Sequence, residues 1–123
     1  MDTSALMMPV ECDVRVFDEL DRLLGLDTVD LVAPRAVLAE LERLASGAGE
    51  EATAASVGRD LAERCRVVET DASHADDALV ELAARGDCAY VVTNDRPLRD
   101  RLLERDVRVI GLRGRNKLNI TQP

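Results

Sequence analysis

Carboxylates at four places in the chain could work together as a chemical site. Asp95 follows the apolar run Ala89–Val92, which reads as a buried strand. The polar step Thr93-Asn94-Asp95 then opens a helical segment with Pro97 near its first turn, where proline is tolerated. A carboxylate is thereby set just past a strand end, where ligands collect in open α/β sheets. Plain helix capping would use the same residues, so this motif alone does not separate the two roles. Glu40 borders a stripe of Val37, Leu41 and Leu44, and a carboxylate beside a core face needs a partner. Asp76 and Asp77 open another helix, where the macrodipole favours acids. Helical geometry sets Asp76 nearer the Leu79 and Ala83 face, with Asp77 flanking it. Asp2 stands at the N-terminus, before Thr3 and Ser4.

In a parallel α/β fold, strand ends and the helix starts that follow them converge on one sheet edge. Several carboxylates meeting there would repel one another, and some would take up protons, unless divalent cations lay between them. Oxygen-only ligands select hard cations, Mg²⁺ or Mn²⁺. A cation held this way suits phosphoryl chemistry, because it binds a phosphate oxygen and activates water.

The elements that must position these acids can be read from periodicity. Cys12 or Asp13 to Leu24 is predicted as a helix on the spacing of Val14, Phe17, Leu20 and Leu24, stopped by Gly25. Thr28–Val32 is predicted as a strand, and Pro34 as the start of a helix reaching about Ala45. Glu50 to about Arg64 is predicted helical, with Gly58 weakening it by up to ~1 kcal/mol against alanine. A strand at 66–69, a helix at 75–85, a strand at 89–92, a helix from about 96 to 105 and a strand at 107–112 follow. A short strand at 118–120 is possible in the polar tail from Arg113. Strands alternating with helices imply parallel pairing and right-handed crossovers. The expected architecture is one α/β domain, a three-layer α/β/α sandwich around a small parallel sheet.

Composition narrows the partners. The chain has 123 residues with 24 acidic and 16 basic side chains, a net charge of −8. Every basic residue but Lys117 is arginine. Acid-rich, lysine-poor surfaces suit concentrated salt, where like-charge repulsion is screened, so a halophilic source is the expectation. Aromatics make up only 2 %, which argues against base-stacking platforms. No apolar run approaches the ~20 residues of a membrane span, and a cytoplasmic setting is expected. Cys12, Cys65 and Cys88 lack zinc spacing and read as reduced thiols. His74, the only histidine, reads as solvated.

Asp2-Thr3-Ser4, Leu38-Ala39-Glu40-Leu41, Ala75-Asp76-Asp77-Ala78-Leu79 and Val92-Thr93-Asn94-Asp95 together resemble the PIN domain nucleases. Order and spacing match, and the resemblance runs from Asp2 to about Arg113. It is similar to archaeal single-domain members related to the small-subunit rRNA-processing nuclease, a group also labelled PilT N-terminus domains. It is more distantly similar to VapC-type toxins. The resemblance implies a catalytic, metal-binding set of Asp2, Glu40, Asp77 and Asp95, supported by Ser4, Thr93 and Asn94. Asp77 is preferred over Asp76 because Ala-Leu-Val-Glu-Leu-Ala follows it, although the helical-face argument points to Asp76. The implied reaction is Mg²⁺- or Mn²⁺-dependent hydrolysis of single-stranded RNA. Its setting would be rRNA processing with a ribosome-biogenesis partner, or toxin action paired with an antitoxin; a homodimer is implied as well. A non-catalytic RNA- or protein-binding module on the same fold is the alternative. Family members carry a short apolar strand directly before the first aspartate, and the expectation is that the true start lies upstream of Met1.

Phosphates need cations. Arg96, Arg99 and Arg101 follow Asp95, and Arg113, Arg115 and Lys117 cluster near the C-terminus. Arg101 is expected to pair with Asp100 or Glu104. The C-terminal group is the better RNA-binding candidate because no acids neighbour it in sequence.

Overall fold

The computed structural model describes residues 1–123. Helix α1 spans Thr3–Glu11 and α2 spans Val16–Leu24, followed by a 3₁₀ turn at Leu26–Thr28 and strand β1 at Val32–Pro34. Helices α3 (Arg35–Ala45) and α4 (Gly49–Leu61) precede β2 (Arg66–Val68) and α5 (Ala75–Ala84). Strand β3 (Tyr90–Val92), α6 (Arg96–Leu103), β4 (Arg108–Arg113) and β5 (Lys117–Thr121) complete the chain. The architecture is α/β, as expected.

Helix α1 departs from the sequence reading, which began helices at Cys12 or Asp13. It buries Ala5, Leu6, Met7 and Met8 in succession, so it lacks the one-sided stripe that periodicity detects. It also contains Pro9, which deprives the helix of one hydrogen bond. Asp13 has φ 53°, and this left-handed residue ends any continuity between α1 and α2. The strand predicted at 28–32 lies later, at β1. Pro34 ends that strand and caps α3, a position where its missing N–H costs nothing.

The strands form two groups. Parallel β1 and β2 pair Val32 with Arg66 and Pro34 with Val68. Parallel β3 and β4 pair Tyr90 with Arg108 and Val92 with Ile110. The sheet is not wholly parallel: β5 returns antiparallel to β4, with Gly111 opposite Asn119. Residues 1–2 bridge the two groups. The Met1 ammonium donates to the Val32 carbonyl at 2.9 Å, and the Asp2 N–H donates to the Val92 carbonyl at 3.0 Å. Beyond this bridge lies a cavity of about 320 Å³ with Leu20, Val32, Leu79 and Val91 among its apolar walls.

One buried cluster joins nearly all elements, from Leu6 and Phe17 through Leu41 and Leu79 to Leu102 and Ile110. Helix α1 packs closely on α4, and Gly58 is the reason it can. A Cβ there would lie 2.9 Å from the Leu6 carbonyl oxygen and 3.2 Å from Leu41 Cδ2. The glycine costs helix propensity and allows that approach. On the other side, Glu19 of α2 accepts the Leu118 N–H at 2.9 Å and Arg22 donates to the Leu118 carbonyl at 2.8 Å. Together they cover the edge strand β5, whose free backbone would otherwise invite pairing. No helix is long and apolar enough to cross a membrane.

Candidate active site

Asp2 is buried and fixed by two hydroxyls. Ser4 and Thr93 each donate to Asp2 Oδ2 at 2.7 Å. The same two oxygens also accept. Ser4 Oγ takes the Asn94 N–H at 2.9 Å, and Thr93 Oγ1 takes the Asp95 N–H at 3.0 Å. Each hydroxyl has one proton, already given to Asp2, so the 3.2 Å Ser4–Thr93 contact is one of proximity. The result is a network that ties the start of α1 to the β3–α6 loop. Asp95 continues it, accepting the Leu98 N–H at 3.1 Å through Oδ1 as the cap of α6. Capping and site placement therefore coincide in one residue.

A pocket of about 300 Å³ opens over this network. Its carboxylates are Asp2, Glu40, Asp76 and Asp95, with Glu11 and Glu51 also lining it. Arg43 is the only cation there, and it stands 3.7 Å from Glu40. Burial pushes the Asp76 carboxyl above the usual aspartate range, and the charges of Asp2, Asp95 and Glu40 push it further, against a smaller opposing pull from Arg101. Asp76 thus senses acids from three other parts of the chain, and all four line one pocket. No three of them approach closely enough to form a ready-made cage.

At the third acid the structure separates the two neighbours. The sequence resemblance preferred Asp77, but Asp77 is exposed and pairs with Arg101 at 2.9 Å, outside the pocket. Asp76 occupies the pocket instead, as the helical-face argument held. This pairing also replaces the partners expected for Arg101. Asn94 is exposed, and its side chain reaches Cys12 Sγ at 3.8 Å while its N–H serves Ser4.

Thr3, Glu11, Glu51 and Arg43 were missed by the sequence reading. Thr3 follows Asp2 directly, but Glu11, Glu51 and Arg43 lie on helices whose approach no local signal reports. Thr3 is instructive because its Oγ1 is buried and has no hydrogen-bond partner, although Thr3 lines the acidic pocket. A buried hydroxyl left unpaired is costly. The donor set that faces the pocket is oxygen-only and anionic, the chemistry that hard cations such as Mg²⁺ or Mn²⁺ favour.

The basic residues split into separate environments. Arg96, Arg99 and Arg113 line a second pocket, of about 660 Å³, that shares Asp95 with the first. Lys117 lies instead beside Asp13, Asp18 and Glu19, so the C-terminal group is not free of acids. Arg115 is exposed in the β4–β5 turn. His74 is exposed at the cap of α5, and Cys12, Cys65 and Cys88 are free thiols.

Residues 1–115 match the model of the family described as PIN like domain. The chain belongs to the PIN-like domain family. Ribonuclease VapC4 of Methanocaldococcus jannaschii is 25 % identical to this PIN-like domain over 122 residues, covering 97 % of this chain and 92 % of that protein. The solved structure of the PIN domain endonuclease Utp24 superposes with a TM-score of 0.77 at 22 % identity, covering 99 % of this chain and 89 % of that one. At that identity the superposition speaks for the fold. The same α/β scaffold that sets Asp95 at the end of β3 is therefore the PIN fold.

Proposed function

We propose that this PIN-like domain is a metal-dependent endoribonuclease that hydrolyses phosphodiester bonds of single-stranded RNA. The observation that carries the reading is that Asp2, Glu40, Asp76 and Asp95, far apart in sequence, line one pocket. A relative that bears the name ribonuclease supports it.

Asp2, Glu40, Asp76 and Asp95 would hold Mg²⁺ or Mn²⁺. When bound, the cation supplies a Lewis acid to a phosphate oxygen and to the attacking water. The chain's own residues do the positioning. Thr93 and Ser4 occupy Asp2 Oδ2, which leaves Oδ1 as the freer oxygen of that carboxylate. The Leu98 N–H occupies Asp95 Oδ1, which leaves Oδ2 as its freer oxygen.

Cleavage of labelled single-stranded RNA in Mn²⁺ tests the reading. Asp95→Asn and Asp76→Asn should abolish cleavage with the fold intact, whereas Asp77→Asn should retain it. Undiminished cleavage by Asp95→Asn would refute the assignment. An adjacent small antitoxin gene would mark a toxin role, and its absence a processing role.

A further inference from the structure

The second pocket lies against the acidic one, and its chemistry is opposite. Its walls are the start of α6 and the exposed side of the β4–β5 hairpin. Arg15, Arg22, Arg35, Arg43, Arg66, Arg85 and Arg101 all stand within ion-pair distance of carboxylates. Eight arginines do not, and of these Arg96, Arg99 and Arg113 gather on this one pocket. In a chain of net charge −8, three unpaired guanidiniums around one cavity make a local site for anions.

The cavity also has room and a reader. Its volume of about 660 Å³ falls within the ~300–1,000 Å³ of small-ligand sites. Gly111 sits opposite Asn119 in the hairpin register and presents no side chain beside it. A Cβ on Gly111 would press on the Thr93 carbonyl at 3.1 Å, so this bare position also lets the β3–α6 loop lie against β4. Asn119 is half-buried and lines the cavity, and its side-chain amide makes no hydrogen bond within the protein. Neither Tyr90 nor Phe17 reaches the cavity, so base stacking is not available there.

We propose that this pocket is a nucleotide subsite, which holds the nucleotide next to the scissile phosphate. Arg99 and Arg113 grip its flanking phosphates, and Asn119 reads its base through donor and acceptor edges. Asp95 lines both pockets, so a strand leaving the acidic site enters this one directly. The adjacency to a scissile bond rests on the nuclease reading above; the nucleotide binding does not.

The test is fluorescence anisotropy with short labelled oligo(A), oligo(U) and oligo(C) RNAs, in EDTA, on the full chain. Arg99→Ala and Arg113→Ala should each weaken all three RNAs about fivefold. Each should also lower the slope of log affinity against log salt by about 0.7. Asn119→Ala should narrow the spread among the three RNAs and leave the slope alone. Unchanged melting curves confirm that these surface variants fold. Binding indifferent to both arginines, or no binding by the wild type, overturns the subsite, as does an Asn119→Ala effect equal on all three RNAs. Cleavage in Mn²⁺ is followed on the same preparations. Arginine-dependent binding without cleavage supports the subsite and removes the nuclease reading. Cleavage with indifferent arginines does the reverse.

Discussion

Replacing Thr93 by valine should loosen the acidic site from beneath, and the cost can be worked from its contacts. Valine keeps the shape and burial of threonine but offers no hydroxyl. Asp2 Oδ2 loses a 2.7 Å donor, and a hydrogen bond to a charged group contributes about 1.5–3 kcal/mol. The Asp95 N–H loses its 3.0 Å acceptor, adding about 1 kcal/mol. Burying a methyl in place of the hydroxyl returns about 0.8 kcal/mol. The net is a loss of about 2–3 kcal/mol, or roughly 10 °C in Tm for a domain of this size. Thermal unfolding in EDTA followed by circular dichroism measures it. Thr93→Ser is the control: it keeps the oxygen and forfeits a methyl, at about 1 kcal/mol. Mn²⁺ should raise the Tm of Thr93→Ser nearly as much as that of wild type, and that of Thr93→Val less. If Thr93→Val melts no lower than Thr93→Ser, the hydroxyl network is not what holds Asp2 and Asp95 in place.

Three further outcomes are expected. Asp76→Asn should raise the Tm of the metal-free protein at neutral pH, because it removes a charge crowded by Asp2, Asp95 and Glu40; Asp77→Asn, losing only its Arg101 pair, should not, and a Tm for Asp76→Asn at or below wild type would contradict the crowding. Gly58→Ala gains up to ~1 kcal/mol of helix propensity but sets a Cβ against the Leu6 carbonyl, an overpacking of about 1–3 kcal/mol; urea titration should therefore show lower stability, and a gain would mean that α1 moves aside freely. Glu19 is held down to about 2 by its hydrogen bond from Arg22 and by the Leu118 N–H. Its stabilisation is present above the unfolded value of about 4.3 and fades as pH falls toward about 2, so melts across that window should show a flatter acid limb for Glu19→Gln than for wild type.

The legibility of the acids followed their relation to local elements. Asp95 could be placed because strand, polar step and helix start are adjacent in sequence, and the fold keeps that order. Asp2, Glu40 and Asp95 line the pocket. The alternation of strands and helices was readable from apolar runs and glycine stops, apart from α1, whose all-round burial erased the period. The antiparallel turn of β5 carries no signal for direction in so short a strand.

Residue types and their order along the chain, then, were set by the sequence: carboxylates near strand ends and helix starts, and an acidic chain almost without lysine. Tertiary packing decided which neighbour faces inward. Successive helical residues differ by about 100° in direction, so choosing Asp76 over Asp77 required knowing how α5 is rotated against α3 and β1. Packing also drew Glu11 and Glu51 to the pocket rim, left the Thr3 hydroxyl without a partner, and set Lys117 beside Asp13, Asp18 and Glu19. Each of these depends on contacts between residues far apart in sequence, which local pattern does not encode.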